Sequence, residues 1–282
     1  MKDFRDKVAV ITGAGRGIGR GIAERCAQEG MKVVLAGIGM ESLNRTEADL
    51  KAQGATVMSV QTDVSKIIDV ERLAEQTLSA FGGVHLLINN AGVGGSVTTV
   101  WESTLADWEW TLGVNLWGVI YGVKIFTPIM INQDTECHIV NVSSVAGLLA
   151  GSGIGIYKVT KHGVISLTET MYHELAQRNT KVGVSVLCPG FVKTDILTWD
   201  RNRPAELQNA PDEAIITPES EDLYTFLKEG VEAGMSIEQV ADDVFAALAE
   251  KRLYILTHPE VKDGVRTRAE NIILDRNPAL TS

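Results

Sequence analysis

Val8-Ala9-Val10-Ile11-Thr12-Gly13-Ala14-Gly15-Arg16-Gly17-Ile18-Gly19 is the stretch that decides the fold. Its leading residues, Val8 to Ile11, read as a buried strand. The glycines that follow allow positive φ and a close approach of backbone to a ligand. The run from Gly17 to Glu29 then reads as a helix whose unpaired N–H groups point back at the turn, a setting that favours a pyrophosphate. Taken alone, the cluster is either that cradle or no more than a tight turn.

Outward from it the alternation repeats. Lys32 to Ala36 reads as a strand, Glu41 to Gln53 as a helix, Thr56 to Val60 as a strand, Lys66 to Phe81 as a helix and His85 to Ile88 as a strand. His138 to Val142 and Val184 to Leu187 are further apolar runs, with a helix expected over 156–177 between them. Strands separated by helices of about ten to fifteen residues are the pattern of a parallel sheet covered on both faces. The expected fold is α/β: a single doubly wound parallel sheet of about seven strands, with ligands bound beyond the carboxyl ends of the strands.

Composition narrows the function. The 282 residues suit one α/β domain with a C-terminal extension, and no second domain, repeat or low-complexity tract is evident. With 26 basic and 36 acidic residues the net charge is −10, and no long basic run faces a phosphate backbone, so no nucleic-acid partner is expected. Cys26, Cys137 and Cys188 are far apart and the histidines lack ligand spacing, so neither disulfides nor a metal site is expected; Cys137 and Cys188 read as core thiols on strands. The first apolar run begins at Val8, which leaves no room for a secretory signal. The uncharged run from Cys137 to Tyr157 contains Asn, Ser and Gly that suit a buried strand and loop rather than a membrane span. A cytoplasmic protein without a membrane partner is the expectation.

A second stretch runs from Ser144 through a glycine-rich loop to Tyr157 and Lys161, which lie four residues apart and so on one face of a helix. A free phenol has a pKa of about 10. An ammonium beside it favours the phenolate and lowers that value by on the order of one to three units, which suits Tyr157 to general acid and general base work. The pair also reads as a buried Tyr and an exposed Lys on one helix; it needs company.

That company is present. Thr12-Gly13-x-x-x-Gly17-x-Gly19, Asn89-Asn90-Ala91-Gly92 after the fourth strand, Ser144, and Tyr157-x-x-x-Lys161 stand in order, and with them residues from about 5 to 200 resemble the short-chain dehydrogenase/reductase family. The resemblance implies a Rossmann-like fold and an NAD(P)-dependent enzyme that moves a hydride reversibly between nicotinamide and a ketone or secondary alcohol. By similarity, Tyr157 would be the proton donor or acceptor, and Lys161 would lower its pKa while holding the nicotinamide ribose. Ser144 would hydrogen-bond the reacting oxygen; Ser143 is the rival, and the family's separation of Ser from Tyr selects Ser144. Asn115, in Gly-Val-Asn-Leu-Trp-Gly, matches the Asn that anchors a water-linked proton relay, or else merely bends an apolar helix.

The resemblance also assigns cofactor contacts. Gly13, Arg16, Gly17, Ile18 and Gly19 would wrap the dinucleotide, and Asn90, Ala91 and Gly92 would line its adenine-ribose side. Pro189, Gly190, Val192 and Thr194 would hold the nicotinamide carboxamide. Asp63, beside Val64, matches the adenine-contacting acid, and an N-cap for the helix starting near Lys66 explains it equally, with Ser65 the nearer candidate. NAD enzymes carry an acid near the end of the second strand for the 2′-hydroxyl. Here that place reads Ala36-Gly37-Ile38-Gly39-Met40, while Arg16 matches a basic position of NADP-preferring relatives or is simply a surface arginine. NADP (NADPH) is expected over NAD.

Trp101, Trp108, Trp110 and Trp117 include two separations of seven, which marks either a partner-facing stripe or, as aromatic residues at helical spacing more often do, core. A homotetramer or homodimer is expected by similarity. From about 191 to 220 the chain turns polar and proline-punctuated, at Pro204, Pro211 and Pro218, and reads as a substrate lid with Phe191, Ile196, Leu197 and Trp199 as an apolar wall, or as a disordered insertion. Beyond it, Leu223 to Gly230 and Ile237 to Glu250 read as helices, Leu253 to Leu256 as a last strand and Val265 to Asp275 as a terminal helix. A small-molecule carbonyl or alcohol, bulky and apolar, is the expected substrate; a non-catalytic dinucleotide sensor is the competing class.

Overall fold

The first strand, β1 (Val8–Thr12), is buried at every position, as a strand with helices on both faces must be. The structure, a computed structural model, describes residues 1, 3–210 and 217–279. The other strands are β2 (Lys32–Gly37), β3 (Val57–Gln61), β4 (Leu86–Asn89), β5 (Cys137–Val142), β6 (Val182–Cys188) and β7 (Tyr254–Leu256). They form one sheet in the order β3-β2-β1-β4-β5-β6-β7, every pair parallel. The chain steps outward from β1 one way and then returns to β4 on its other side. That reversal opens a crevice beyond the carboxyl ends of β1 and β4.

Helices α1 (Gly17–Gln28), α2 (Met40–Ala52), α3 (Ile67–Phe81), α4 (Leu105–Leu112), α5 (Gly118–Asn132), α6 (Gly155–Gln177), α7 (Pro218–Ala233), α8 (Ile237–Glu250) and α9 (Val261–Ile273) complete the described elements. The period of two along β1 divides the core: Ala9 and Ile11 join Ile22 of α1 and Val244 of α8, whereas Val8 and Val10 join Leu73 of α3 and Phe126 of α5. The run Leu105–Asn132 is long and apolar enough to cross a membrane. It packs instead on the sheet through Phe126 and Met130, both fully buried.

A π turn, Gly113–Trp117, joins α4 to α5. It corrects the reading of the tryptophans. Trp110 alone is core, while Trp101 precedes α4 and is 79% exposed and Trp117 is 48% exposed. A spacing of seven describes one stripe only along one uninterrupted helix, and here the helix starts late and is then underwound by the π turn. The expected caps at Ser65 or Asp63 also fail, because α3 begins after Lys66 with no side-chain cap.

The region expected as an unstructured lid is partly built. Short 3-10 turns occupy Trp199–Asn202 and Ala205–Leu207, and α7 starts at Pro218, capped by Thr217. Pro218 opens a helix rather than punctuating a loop, since a first-turn proline has no intrahelical N–H to lose. Pro211 and its neighbours 211–216 lie outside the described residues, as does the side chain of Trp199.

Candidate active site

The glycine turn is welded to the β4 loop. Thr12 Oγ1 accepts from the N–H of Asn90 at 2.9 Å and of Ala91 at 3.0 Å, and Asn90 Nδ2 donates to Thr12 O at 2.8 Å. Gly13 has φ +67, and a Cβ there would stand 2.8 Å from Asn90 Nδ2. Arg16 occupies the N-cap of α1 with no side-chain cap, and the first turn holds no acid. The helix therefore presents free N–H groups and the positive end of its dipole to the cavity, a fit for a dinucleotide's phosphates.

That cavity, of about 690 Å³, runs across the switch point. Gly13, Arg16, Gly17, Ile18, Asp63, Val64, Asn90, Ala91, Gly92, Ser144, Tyr157, Lys161, Pro189, Gly190, Val192 and Thr194 all lie on its wall. Gly19 and Asn115 do not. Gly19 sits beneath the turn, where a Cβ would collide with Gly13 O.

Ser144 ends the β5 extension and caps a 3-10 turn, accepting from Ala146 N at 3.1 Å and donating to Pro189 O at 3.4 Å. Ser143 is spoken for: its hydroxyl donates to Lys161 O at 2.7 Å. Tyr157 faces Ser144, and the hydrogen bond between them opposes the effect of burial, which pushes the phenol above its ordinary value. The expected lowering by Lys161 is absent. Lys161 Nζ sits 5.5 Å from the tyrosine ring centroid and donates to Val142 O at 3.0 Å, and its own burial brings it down to about 8. Desolvation thus drives both groups toward their neutral forms.

Asn115 is fully buried. Its Oδ1 accepts from Val93 N at 2.8 Å and its Nδ2 donates to Val93 O at 2.9 Å. The amide staples the β4 loop to the π turn, so its side chain is not aimed into the cavity as a relay group. A Cβ on Gly92 would meet Asn115 Oδ1 at 3.4 Å and Lys161 Nζ at 3.6 Å, which places the two close to one another.

At the far end Gly37, Ile38, Gly39, Glu41 and Ser42 line the wall. Arg16 Nη1 pairs with Asp195 Oδ2 at 3.2 Å across the cavity mouth. Asp63 Oδ1 accepts from Ser65 N at 3.1 Å and Ser65 Oγ at 2.6 Å, so it shapes its own turn while lining the cavity.

A family model described as short chain dehydrogenase matches residues 7–204. The chain is a short-chain dehydrogenase/reductase. A short-chain dehydrogenase/reductase from Burkholderia phymatum in complex with NAD superposes with a TM-score of 0.96, at 49% identity, covering 100% of this chain and 99% of that one. A CLA biosynthesis dehydrogenase/reductase of Lactiplantibacillus plantarum is 38% identical over 278 residues, 99% of this chain and 97% of that protein. A C alpha-dehydrogenase of Sphingobium sp. is 32% identical over 273 residues, 97% and 87% of the two chains. This dehydrogenase/reductase is accordingly an oxidoreductase that uses a nicotinamide dinucleotide and acts on small molecules.

The substrate end of the dehydrogenase holds residues that the sequence reading missed. Tyr224, Leu227 and Val231 of α7 line the cavity, and their spacing of three and four was a legible helical stripe. Phe191, Ile196 and Leu197 line it too, and Phe191 packs on Phe226 of α7 with ring centroids 5.7 Å apart. Lys158 Nζ donates to the carbonyls of Gly151, Ser152 and Gly153 at 2.8, 2.8 and 3.1 Å, tying down the loop before α6. Arg203 Nη1 reaches Asp107 Oδ1 of α4 at 2.7 Å, each side chain 3% exposed, and Asn209 bridges both. The Thr104-x-x-Asp107 capping box was readable; the ion pair was not. Among the described residues no group of His, Cys, Asp or Glu is placed to hold a metal.

Proposed function

We propose that this dehydrogenase/reductase interconverts a bulky, largely apolar ketone and its secondary alcohol, with NADP preferred. The observation that carries the reading is the meeting of Ser144, Tyr157 and Lys161 on one wall of a cavity whose other end is a glycine cradle. The bound dinucleotide supplies or accepts the hydride. Ser144 and Tyr157 would hold the reacting oxygen, and Tyr157 would pass a proton to it as negative charge develops. Lys161 would orient the ribose, and Asn115 would keep the β4 loop and α6 in register. Pro189, Gly190, Val192 and Thr194 would seat the carboxamide. The segment from 191 to 220, with α7, would form a lid whose apolar side chains exclude water from the carbonyl.

Preference for NADP is supported by Gly37, which puts no carboxylate at the end of β2 to repel a 2′-phosphate, and by Arg16 on the same wall. A second reading, NAD, is favoured by the NAD complex of the 49% identical relative and by the pairing of Arg16 with Asp195. A homodimer or homotetramer in the cytoplasm completes the proposal, in keeping with three free, buried thiols. The test is loss of NADPH and NADH absorbance with a panel of aromatic, aliphatic, steroid and sugar carbonyls. Catalytic efficiency with NADH equal to or above that with NADPH overturns the NADP preference. Absence of turnover with every carbonyl and both cofactors overturns the reaction.

A further inference from the structure

We propose that His258 is a positioning residue for Ser144, acting through the Pro189-Gly190 turn. The proposal rests on the oxidoreductase reading above and extends it to a part of the chain beyond the family match, which ends at residue 204. The register of β6 on β7 pairs Val186 with Tyr254, Leu187 with Ile255 and Cys188 with Leu256. Two further steps bring Gly190 opposite His258. The Gly190 N–H donates to His258 Nδ1 at 3.1 Å, and Thr257 Oγ1 lies 2.7 Å from the same nitrogen. The approach is so close that a Cβ on Gly190 would stand 2.7 Å from the imidazole Cγ.

A backbone N–H only donates, so Nδ1 carries the lone pair and the ring proton sits on Nε2. On the other side of the turn, Pro189 O accepts from Val145 N at 2.9 Å and from Ser144 Oγ at 3.4 Å. Pro189 and Gly190 both line the cavity. The turn is therefore pinned between the imidazole and the serine, and its place fixes the direction of the Ser144 hydroxyl. Val261 N donates to His258 O at 3.2 Å, which fixes the backbone that carries the ring.

The test compares the wild type with His258→Phe, which keeps a ring but has no acceptor, and His258→Asn, whose Oδ1 can accept from Gly190. Dinucleotide affinity is read by the fluorescence of bound NADPH and NADH, and carbonyl reduction gives kcat and KM separately. For His258→Phe we expect kcat to fall about three- to tenfold, the worth of one hydrogen bond, with dinucleotide affinity weakened and carbonyl KM little changed. His258→Asn should recover most of both. The proposal is overturned if His258→Phe stays within twofold of the wild type, or if both variants lose equally, the mark of a space-filling ring. If the wild type reduces no carbonyl, the oxidoreductase reading fails, and the binding titration still decides the role of His258.

Discussion

Tyr157 and Lys161 show how burial sets the direction of proton traffic. The phenol is pushed up, so it stands protonated at neutral pH and is ready to donate during ketone reduction. Alcohol oxidation needs it deprotonated, so the oxidation rate should climb with pH into the alkaline range while reduction declines only there; parallel kcat/KM profiles in the two directions check this. Tyr157→Phe should lower turnover by about 10²- to 10⁴-fold and leave dinucleotide binding, read by fluorescence, close to the wild type. Lys161 gives a stability prediction. Its folded value of about 8 lies below its ordinary 10.5, so between those values the unfolded chain binds the extra proton and folding strengthens as pH rises. Relative to Lys161→Met, the wild type should therefore gain on the order of 2–3 kcal/mol from pH 7 to about 10.5, and urea midpoints of the two across that range measure it. A constant gap would mean that Lys161 is not desolvated.

Between elements, the Asp107–Arg203 pair does for the substrate wall what the glycine turn does for the cofactor end. It joins α4 to the segment after β6, with Asn209 donating to Asp107 Oδ1 at 3.0 Å and Leu207 packed by Trp110 and Val114. Asp107→Ala breaks this buried pair and should cost about 3 kcal/mol. Replacing both partners with apolar residues of like volume should recover most of that loss; thermal unfolding of the single and double variants checks the difference. Such a contact marks where legibility in the sequence ends. The glycine turn, Asn89-Asn90-Ala91-Gly92 and Tyr157-x-x-x-Lys161 are each a local pattern whose chemistry follows from spacing along one chain segment. Asp107 and Arg203 are 96 residues apart, and Gly190 and His258 are 68 apart. Nothing local distinguishes such polar residues from solvated ones until a fold brings them together. The lowered phenol was misread for the same reason, because spacing places an ammonium nearby but says nothing of how dry both groups are.

At the scale of the whole molecule, the sheet is covered on both faces, yet the π turn at the head of α5, and α6, still carry apolar surface that no described element covers. The π turn before α5 meets α6 where Leu116 lies against Gly163. Beside that contact Trp117 and Val159 remain 48% and 49% exposed, and Trp117 leans on Tyr121 with ring centroids 5.5 Å apart. A protein of net charge −10 repels its own copies at long range, so association must come from short-range apolar burial of this kind, and added salt should strengthen it. A second copy laid across α5 and α6 would bury these rings and also brace α6, which carries Tyr157 and Lys161. Sedimentation at micromolar concentration should therefore give a dimer or tetramer of the 30.5 kDa chain, more fully assembled at high salt. Trp117→Glu should shift it toward monomer and lower thermal stability in a concentration-dependent way. A wild type that sediments as monomer at both salt concentrations would leave the α5–α6 surface without the partner argued for it.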